Sequence, residues 1–311
     1  MVKIDSVPPT VSAIYAQYEH DAEDWRRDHL GASMIGRECW RMLWYSFRWA
    51  VKPEHSGRLL RLFETGHIEE TRVTRNLRAI GIEIKAEVSH MLLAPHFGGT
   101  PDAVGLGFPE APKSWHVVEY KTASRKAFSE LVSKGVRKAK PEHFAQMQIY
   151  MKGRGLERAA YLCVCKDDDS LHFERIVYDK EFADSLVAKA TAIINAPEPP
   201  EKISQDPAWY QCKFCDQRGI CHKDDVGTLE RNCRTCLSST PMPNGAWHCD
   251  HWAREIAPAE QRAGCSAHLF IPKLVGTPTV VDGDGRSITY ATPTGGSIVD
   301  HDGKLSYVEK L

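Results

Sequence analysis

The chain predicts an α/β fold: a mixed central sheet flanked by helices, with a metal-stapled C-terminal extension. Helical periodicity and strand-like alternation interleave up to about residue 195, which predicts the first part. A hydrophobic content of 42% with 26% charged residues suits a chain that buries a core. The ten cysteines predict the second part, because seven of them fall between 212 and 265. In a reducing compartment, thiols at such spacing point to metal rather than to disulfides.

The first three elements read as helices over about 10–29, 33–48 and 56–80. Ser56 is a good N-cap for the third and Gly81 a good stop. Its apolar stripe is Leu59, Leu62, Phe63, Gly66, Val73, Leu77 and Ile80, and Glu70 falls on the same stripe. β-runs follow at about 83–93, 98–107 and 115–122, then helices at about 124–135 and 141–153. Strands at about 158–166 and 170–178 form a hairpin across Asp167-Asp168-Asp169. A helix at about 180–195 ends in the Pro-rich Ala196–Pro200 linker. Beyond 270 the chain is turn-rich, with short β-runs around Gly-Asp-Gly and Thr-Gly-Gly. The expected organisation is a helical segment over 1–55 carrying Cys39, a core over 56–222, a zinc-binding module over 223–270 and a β-rich tail over 271–311.

Lys and Arg total 40 against 41 Asp and Glu, so the formal charge is -1. That argues against a histone-like polycation and against an acidic disordered tail. No run of 18 apolar residues exists, and the N-terminus lacks a signal-peptide core, so a cytoplasmic protein without a membrane partner is expected. Within this neutral balance, Lys121, Arg125, Lys126, Lys134, Arg137, Lys138 and Lys140 face a single acid, Glu130. The run reads either as a solvated helix face or as a phosphate-binding patch.

Gly99-Thr100-Pro101-Asp102 is expected in one strand and Glu119-Tyr120-Lys121 in the next. Residues two apart on a strand share a face, so Glu119 and Lys121 point the same way and Asp102 can reach them. Paired carboxylates make a hard oxygen site suited to Mg²⁺ or Mn²⁺, and a neighbouring lysine can orient a metal-bound water. Alone, such a pair is ordinarily an exposed ion pair at a sheet edge. Glu70, placed on an apolar stripe, asks for a charged or metal partner unless it reaches solvent at the rim.

Taken in order, these residues resemble the PD-(D/E)XK nuclease superfamily, which implies a restriction-endonuclease-like core. Pro101-Asp102 and Glu119-Tyr120-Lys121 match its central motif. Gly66-His67-Ile68-Glu69-Glu70 is similar to its first motif, which makes Glu70 a metal ligand and His67 a rival. Gln146-Met147-Gln148-Ile149-Tyr150 matches the motif of the RecB-like branch, which places Gln146 and Tyr150 beside the active site and against DNA. The resemblance implies catalytic roles for Glu70, Asp102, Glu119, Lys121, Gln146 and Tyr150. It implies one or two Mg²⁺ or Mn²⁺ ions on Glu70, Asp102, Glu119 and the Tyr120 carbonyl, with Lys121 positioning the water that cleaves the phosphodiester.

The cysteines form two sets. Cys212, Cys215 and Cys221 are spaced C-x2-C-x5-C, one ligand short of a tetrahedral or cubane site, and Cys39 can complete it. One upstream and three downstream thiols resemble the iron–sulfur RecB-like nucleases, a group that includes CRISPR-associated exonucleases, the AddB nuclease domain and relatives in bacteriophages. This implies a structural [4Fe-4S] cluster, with Zn²⁺ in the same thiolates as the alternative. Cys233, Cys236, Cys249 and Cys265 read as a structural Zn²⁺ site, with His248, His251 and His268 close by as rival ligands. Cys163 and Cys165 alternate with apolar residues and read as core.

The leading expectation is a metal-dependent exonuclease acting on the ends of single- or double-stranded DNA, in recombination, repair or phage DNA processing, with a possible recombination partner protein. Two alternatives are a catalytically silent nuclease fold that grips DNA, and an iron–sulfur or zinc regulatory protein.

Overall fold

A computed structural model describes residues 7–24, 26–86, 88–222, 226–276, 279–292 and 296–308. The first six residues of the N-terminus read above, and Thr294 and Gly295 of the second tail turn, lie outside the described residues. The chain divides into two compact units. The first comprises Met1–Trp25, Pro53–Met91 and Gly99–Asp184, and the second Arg26–Lys52, Leu92–Gly98 and Ser185–Leu311.

The first unit is a five-stranded mixed sheet with helices against it. Its helices are α1 (Pro9–His20), α2 (Gly57–Ala79), α3 (Arg125–Lys134) and α4 (Pro141–Arg154). Its strands are β1 (Glu83–Lys85), β2 (Ala103–Leu106), β3 (His116–Ala123), β4 (Arg158–Cys165) and β5 (Leu171–Val177), hydrogen-bonded in that order. All neighbours are antiparallel except β3 and β4, which run parallel because α3 and α4 form the crossover between them. The core joins Val73 and Leu77 of α2 to Ile84, Ala103, Val118, Tyr120, Ala160, Leu162 and Val164 of the sheet. Fully burying one such aliphatic side chain contributes about 1.5–3 kcal/mol.

Several boundaries differ from expectation for local reasons. Helix α1 stops at His20 rather than near 29, because Asp21, Glu23 and Asp24 would place negative charge at the negative end of the helix dipole. The predicted 98–107 strand is two strands, Phe97–Gly99 and β2, and Pro101 lies in the break. Proline has no N–H to give a ladder, so Asp102 stands just before β2 instead of within a strand. The stripe on α2 is also narrower than expected. Leu62, Phe63 and Ile80 are exposed, and the buried positions are Gly57, Leu60, Val73 and Leu77. The hairpin turn between β4 and β5 forms as expected, with Asp169 at φ 59. Cys163 and Cys165 are buried in β4 as core residues.

In the second unit, the helix Trp40–Phe47 buries Met42, Leu43, Trp44, Tyr45 and Phe47. It begins at Trp40 rather than at 33, and Cys39 is its N-cap, its sulfur accepting from the Met42 N–H at 3.4 Å. Strands Ser239–Pro241, Trp247–Cys249 and Arg254–Ile256 form a small antiparallel sheet. Beyond residue 278 the short β-runs build a four-stranded antiparallel meander over Leu269, Phe270, Val275, Ile288, Tyr290 and Ile298. Two arginines are buried here. Arg234 stacks 3.6 Å from the Trp49 ring centroid and donates to Gln261, Phe47 O and Asp28 O. Arg48 donates to Arg234 O and Ser239 O. No helix among the described residues is long and apolar enough to cross a membrane.

Candidate active site

Strand β3 splits its side chains between two faces. Val118 and Tyr120 enter the core against α2, so Glu119 and Lys121 share the other face. Glu119 is fully buried, and the Lys121 ammonium is bonded to its Oε1. The other oxygen, Oε2, is buried with no hydrogen-bond partner among the described residues. Asp102, from the turn before β2, accepts the backbone N–H of Tyr120 at 2.8 Å. Glu70, halfway along α2, lines an open cleft with Asp102 and Tyr120, and with Thr71, Thr74, Arg75, Arg78 and Ala86.

The electrostatics of the three acids agree with one another. Burial, opposed by Lys121 and reinforced by Asp102, pushes Glu119 up to about 8. Burial likewise raises Asp102, against the pull of Lys121. Glu70 is raised first by burial and then by the Asp102 charge. Burial by itself would lower Lys121, but the Glu119 and Asp102 carboxylates outweigh it and hold the ammonium charged. Three acids thus crowd one lysine, and the set is short of positive charge.

Each expected residue has a definite place. Glu70 and Asp102 share the cleft, while His67 lies mostly exposed with Nδ1 3.7 Å from Glu70 Oε2. Tyr120 holds Asp102 through its N–H, and its phenol accepts from Thr74 at 3.0 Å. Gln146 and Tyr150 lie one turn apart on α4, both buried, and Gln146 donates to the Tyr150 hydroxyl at 3.2 Å. Tyr150 is close enough to Lys121 to act on its charge. His143, on the same face of α4, was missed. Its Nδ1 lies 2.9 Å from the hydroxyl of Tyr161, the residue paired with Glu119 across β3 and β4. Burial lowers His143 to about 3, so it is neutral at working pH. Its i, i+3, i+7 spacing with Gln146 and Tyr150 was the available signal.

The basic run after Lys121 is less free than its sequence suggests. Arg125 pairs with Asp168 at 2.8 Å, Lys134 with Glu130 at 2.7 Å, and Arg137 with Asp179 at 3.5 Å. Glu130 lies on the helix itself, but Asp168 comes from the β4–β5 hairpin and Asp179 from the segment after β5, so a count along the run could not include those two.

The thiols gather in two places in the second unit. Cys215 is pushed up to about 11 by burial, with Cys39 and Cys221 adding to the shift. Cys212 and Cys221 are raised by burial and by Cys39 as well. Cys233 is pushed up to about 12 by burial and then by Cys236, Cys265 and Cys249. Those four thiols line one small pocket with His251 and His268. His268 is buried, with Nε2 3.1 Å from Asn232 O, and its Nδ1 has no partner among the described residues. His251 is exposed and packs edge-on against Trp252, and His248 lies 3.8 Å from Asp250. Among the described residues, no three His, Cys, Asp or Glu side chains, at the acids or at the thiols, are grouped so that they could hold a metal ion as they stand.

The family model for the PD-(D/E)XK nuclease superfamily matches residues 11–222. No curated protein matches the chain significantly. Among solved structures, the chain is similar to an alkaline exonuclease (LHK-Exo) from Laribacter hongkongensis. The identity is 17% over 57% of this chain and 90% of that one, with a TM-score of 0.40. It is also similar to a phage related exonuclease from Haemophilus somnus 129PT, at 17% identity over 41% of this chain and 66% of that one, with a TM-score of 0.31.

Proposed function

The chain belongs to the PD-(D/E)XK nuclease superfamily, and from that premise we propose that it is a divalent-metal-dependent exonuclease hydrolysing phosphodiester bonds at DNA ends. The observation that carries the reading is the meeting of Glu70, Asp102 and Glu119 around Lys121 in one unit.

The residues present suit a hard divalent cation. Glu119 Oε2 is a buried acceptor with no partner among the described residues, and burial raises all three carboxylates above their usual range. Glu70, Asp102 and Glu119 would hold Mg²⁺ or Mn²⁺, with the Tyr120 carbonyl as a further donor. When bound, the metal supplies Lewis-acid stabilisation of phosphate charge and a more acidic water. The chain supplies the rest. The Lys121 ammonium, fixed by Glu119, orients the attacking water and offsets charge at the phosphate. The Tyr120 N–H fixes Asp102. Gln146 and Tyr150, bonded to each other and buried near Lys121, hold the lysine's environment. Water gives up one proton as its oxygen bonds to phosphorus, the bond to the leaving sugar oxygen breaks, and that oxygen takes up one proton, so protons balance.

The thiol sets are assigned structural metals, a [4Fe-4S] cluster or Zn²⁺ for Cys39, Cys212, Cys215 and Cys221, and Zn²⁺ for Cys233, Cys236, Cys249 and Cys265. Cys212, Cys215, Cys221, Cys233 and Cys236, whose acidity burial suppresses, stay protonated unless a cation replaces the protons. A reducing, cytoplasmic setting would keep them available.

End-labelled linear duplex and single-stranded DNA, incubated with Mg²⁺ or Mn²⁺ beside a closed circular control, tests the reading. Mononucleotide or short-oligomer release from linear DNA alone is expected. Cleavage of the circle would replace exonuclease with endonuclease action, and no cleavage of any DNA with either ion would overturn the proposal.

A further inference from the structure

We propose that the face of α2 beyond Glu70, carrying Thr71, Thr74, Arg75 and Arg78, is the binding subsite for the backbone phosphates flanking the one that is cut. The inference rests on the nuclease reading of the same cleft and names which part of the substrate this face takes.

All four residues line the cleft that contains Glu70 and Asp102. At i+1, i+4, i+5 and i+8 from Glu70 they continue along one side of the helix. With a rise of 1.5 Å per residue, Arg75 lies about 7.5 Å and Arg78 about 12 Å from Glu70 along the axis. That spacing suits successive phosphates of one extended strand. Arg75 is exposed and has no carboxylate partner among the described residues. Arg78 spends one N–H on Ile84 O at 2.9 Å, which steadies the guanidinium and leaves its other donors open. Guanidinium forks match phosphate oxygens bidentately, while the Thr71 and Thr74 hydroxyls donate to His67 O at 3.3 Å and to the Tyr120 phenol at 3.0 Å and so line the subsite without supplying donors. Arg72, between them, is already engaged with Glu69 at 2.8 Å and Asp169 at 3.1 Å. The cations of the 121–140 run that stand nearest in sequence to the catalytic lysine are partly paired, so the two open arginines beside the acids are the better-placed phosphate donors.

The two halves of the cleft also complement each other. An acidic end collects a divalent cation, and a cationic end collects the anions that accompany a scissile phosphate. Neither half by itself distinguishes a polymer from a free ion, but together they demand a ligand with several phosphates in line.

The test uses the full chain and fluorescent single-stranded DNA twelve nucleotides long, with Ca²⁺ in place of Mg²⁺ for binding and Mg²⁺ for turnover. Arg75→Ala and Arg78→Ala are each expected to weaken binding about tenfold, or about 1.4 kcal/mol. KM should rise while kcat changes little, and the slope of log affinity against log salt should flatten by roughly 0.7 per arginine. Arg75→Lys should recover much of the affinity, because the charge is kept. Unchanged binding and KM in Arg75→Ala and in the double variant, with the parent protein cleaving DNA normally, would overturn the subsite and leave the nuclease reading intact. A parent protein that cleaves no DNA would instead overturn the nuclease reading. Loss of activity with altered thermal unfolding in Arg75→Ala and full rescue by Arg75→Lys supports the subsite, whereas loss in both variants with normal DNA binding counts against it.

Discussion

A carboxylate with no exposed surface and one unbonded oxygen, as Glu119 has, is costly to keep ionised. Its folded pKa is raised from 4.5 to about 8. The sign follows directly. Between these values the unfolded chain is ionised and the metal-free fold is still protonated, so the unfolded state binds fewer protons. The contribution of Glu119 to stability is therefore full below about pH 4.5 and is lost as pH rises towards 8. Thermal unfolding of chelator-treated protein should show this slope, and Glu119→Gln should flatten it. A divalent ion that takes the proton's place restores about 2.7 kcal/mol at a hundred times its Kd. For the same reason, protons compete with the metal for Glu119, so the Mg²⁺ concentration needed for half-maximal activity should rise as pH falls, and a requirement that eases towards acid would contradict the assignment. Lys121→Ala is expected to lower the rate of cleavage roughly 10²–10³-fold, the scale of losing one positioned donor aimed at developing charge. Asp102→Ala should abolish cleavage, and circular dichroism should show the fold retained in both. Normal turnover in either variant would remove these residues from the chemistry. At this scale the sequence was informative. Glu119 and Lys121 were legible because strand alternation fixes which side chains share a face, and Asp102 through its place in the Pro101-Asp102 motif. His143 and Tyr161 were not, since their contact joins α4 to β4 across the packing of the unit.

At the scale of elements, α4 matters most, since it presents Gln146, Tyr150 and His143 along one side. His143→Ala would leave the Tyr161 hydroxyl buried without its partner, at a cost of about 1–3 kcal/mol, measurable by urea unfolding. A change in stability near zero would mean that the pair is not formed in solution. Helices α2 and α3 were readable from periodicity, because each buries one face and exposes another, whereas β3 and the middle of α4 are buried on every side and show no such contrast. The division of residues 98–107 was less readable. Alternation continues through Pro101, and only the missing N–H of that proline marks the break that sets Asp102 at a turn, where it can accept from Tyr120. On α2, exposed Leu62 and Phe63 are apolar at helical spacing without reaching the core, because the sheet covers only the Val73–Leu77 portion.

For each unit as a whole, the balance of buried charge differs. The first unit hides acids that a cation would neutralise, and the second hides Arg48 and Arg234 among Trp44, Trp49 and Trp247. Burial lowers Arg234 to about 9 and Arg48 to about 10. Arg234→Ala is expected to destabilise the second unit by about 3–5 kcal/mol, since it leaves Gln261 and several carbonyls unpaired. Thermal unfolding would show this, and an unshifted transition would make the stacked arginine dispensable. Elemental analysis of anaerobically purified protein should find zinc, together with iron and a brown colour if the Cys39 set holds a cluster. Cys233→Ser should lose the zinc alone, and metal-free protein with a normal unfolding transition would reduce both thiol sets to ordinary core cysteines.

The sequence by itself determined the α/β class, the order of the catalytic-type residues and the grouping of the cysteines. Each of these depends on spacing along one strand, one helix or one short motif, and local geometry converts such spacing into a shared face. Only the tertiary structure decided which charges are free. Arg125 and Arg137 look like part of an open basic patch until Asp168 and Asp179 are brought to them, whereas Arg75 and Arg78 look like ordinary helix-surface residues until the fold sets them beside Glu70 and Asp102. Charge pairing acts through space over a few ångströms, and the chain distance between partners carries no record of it.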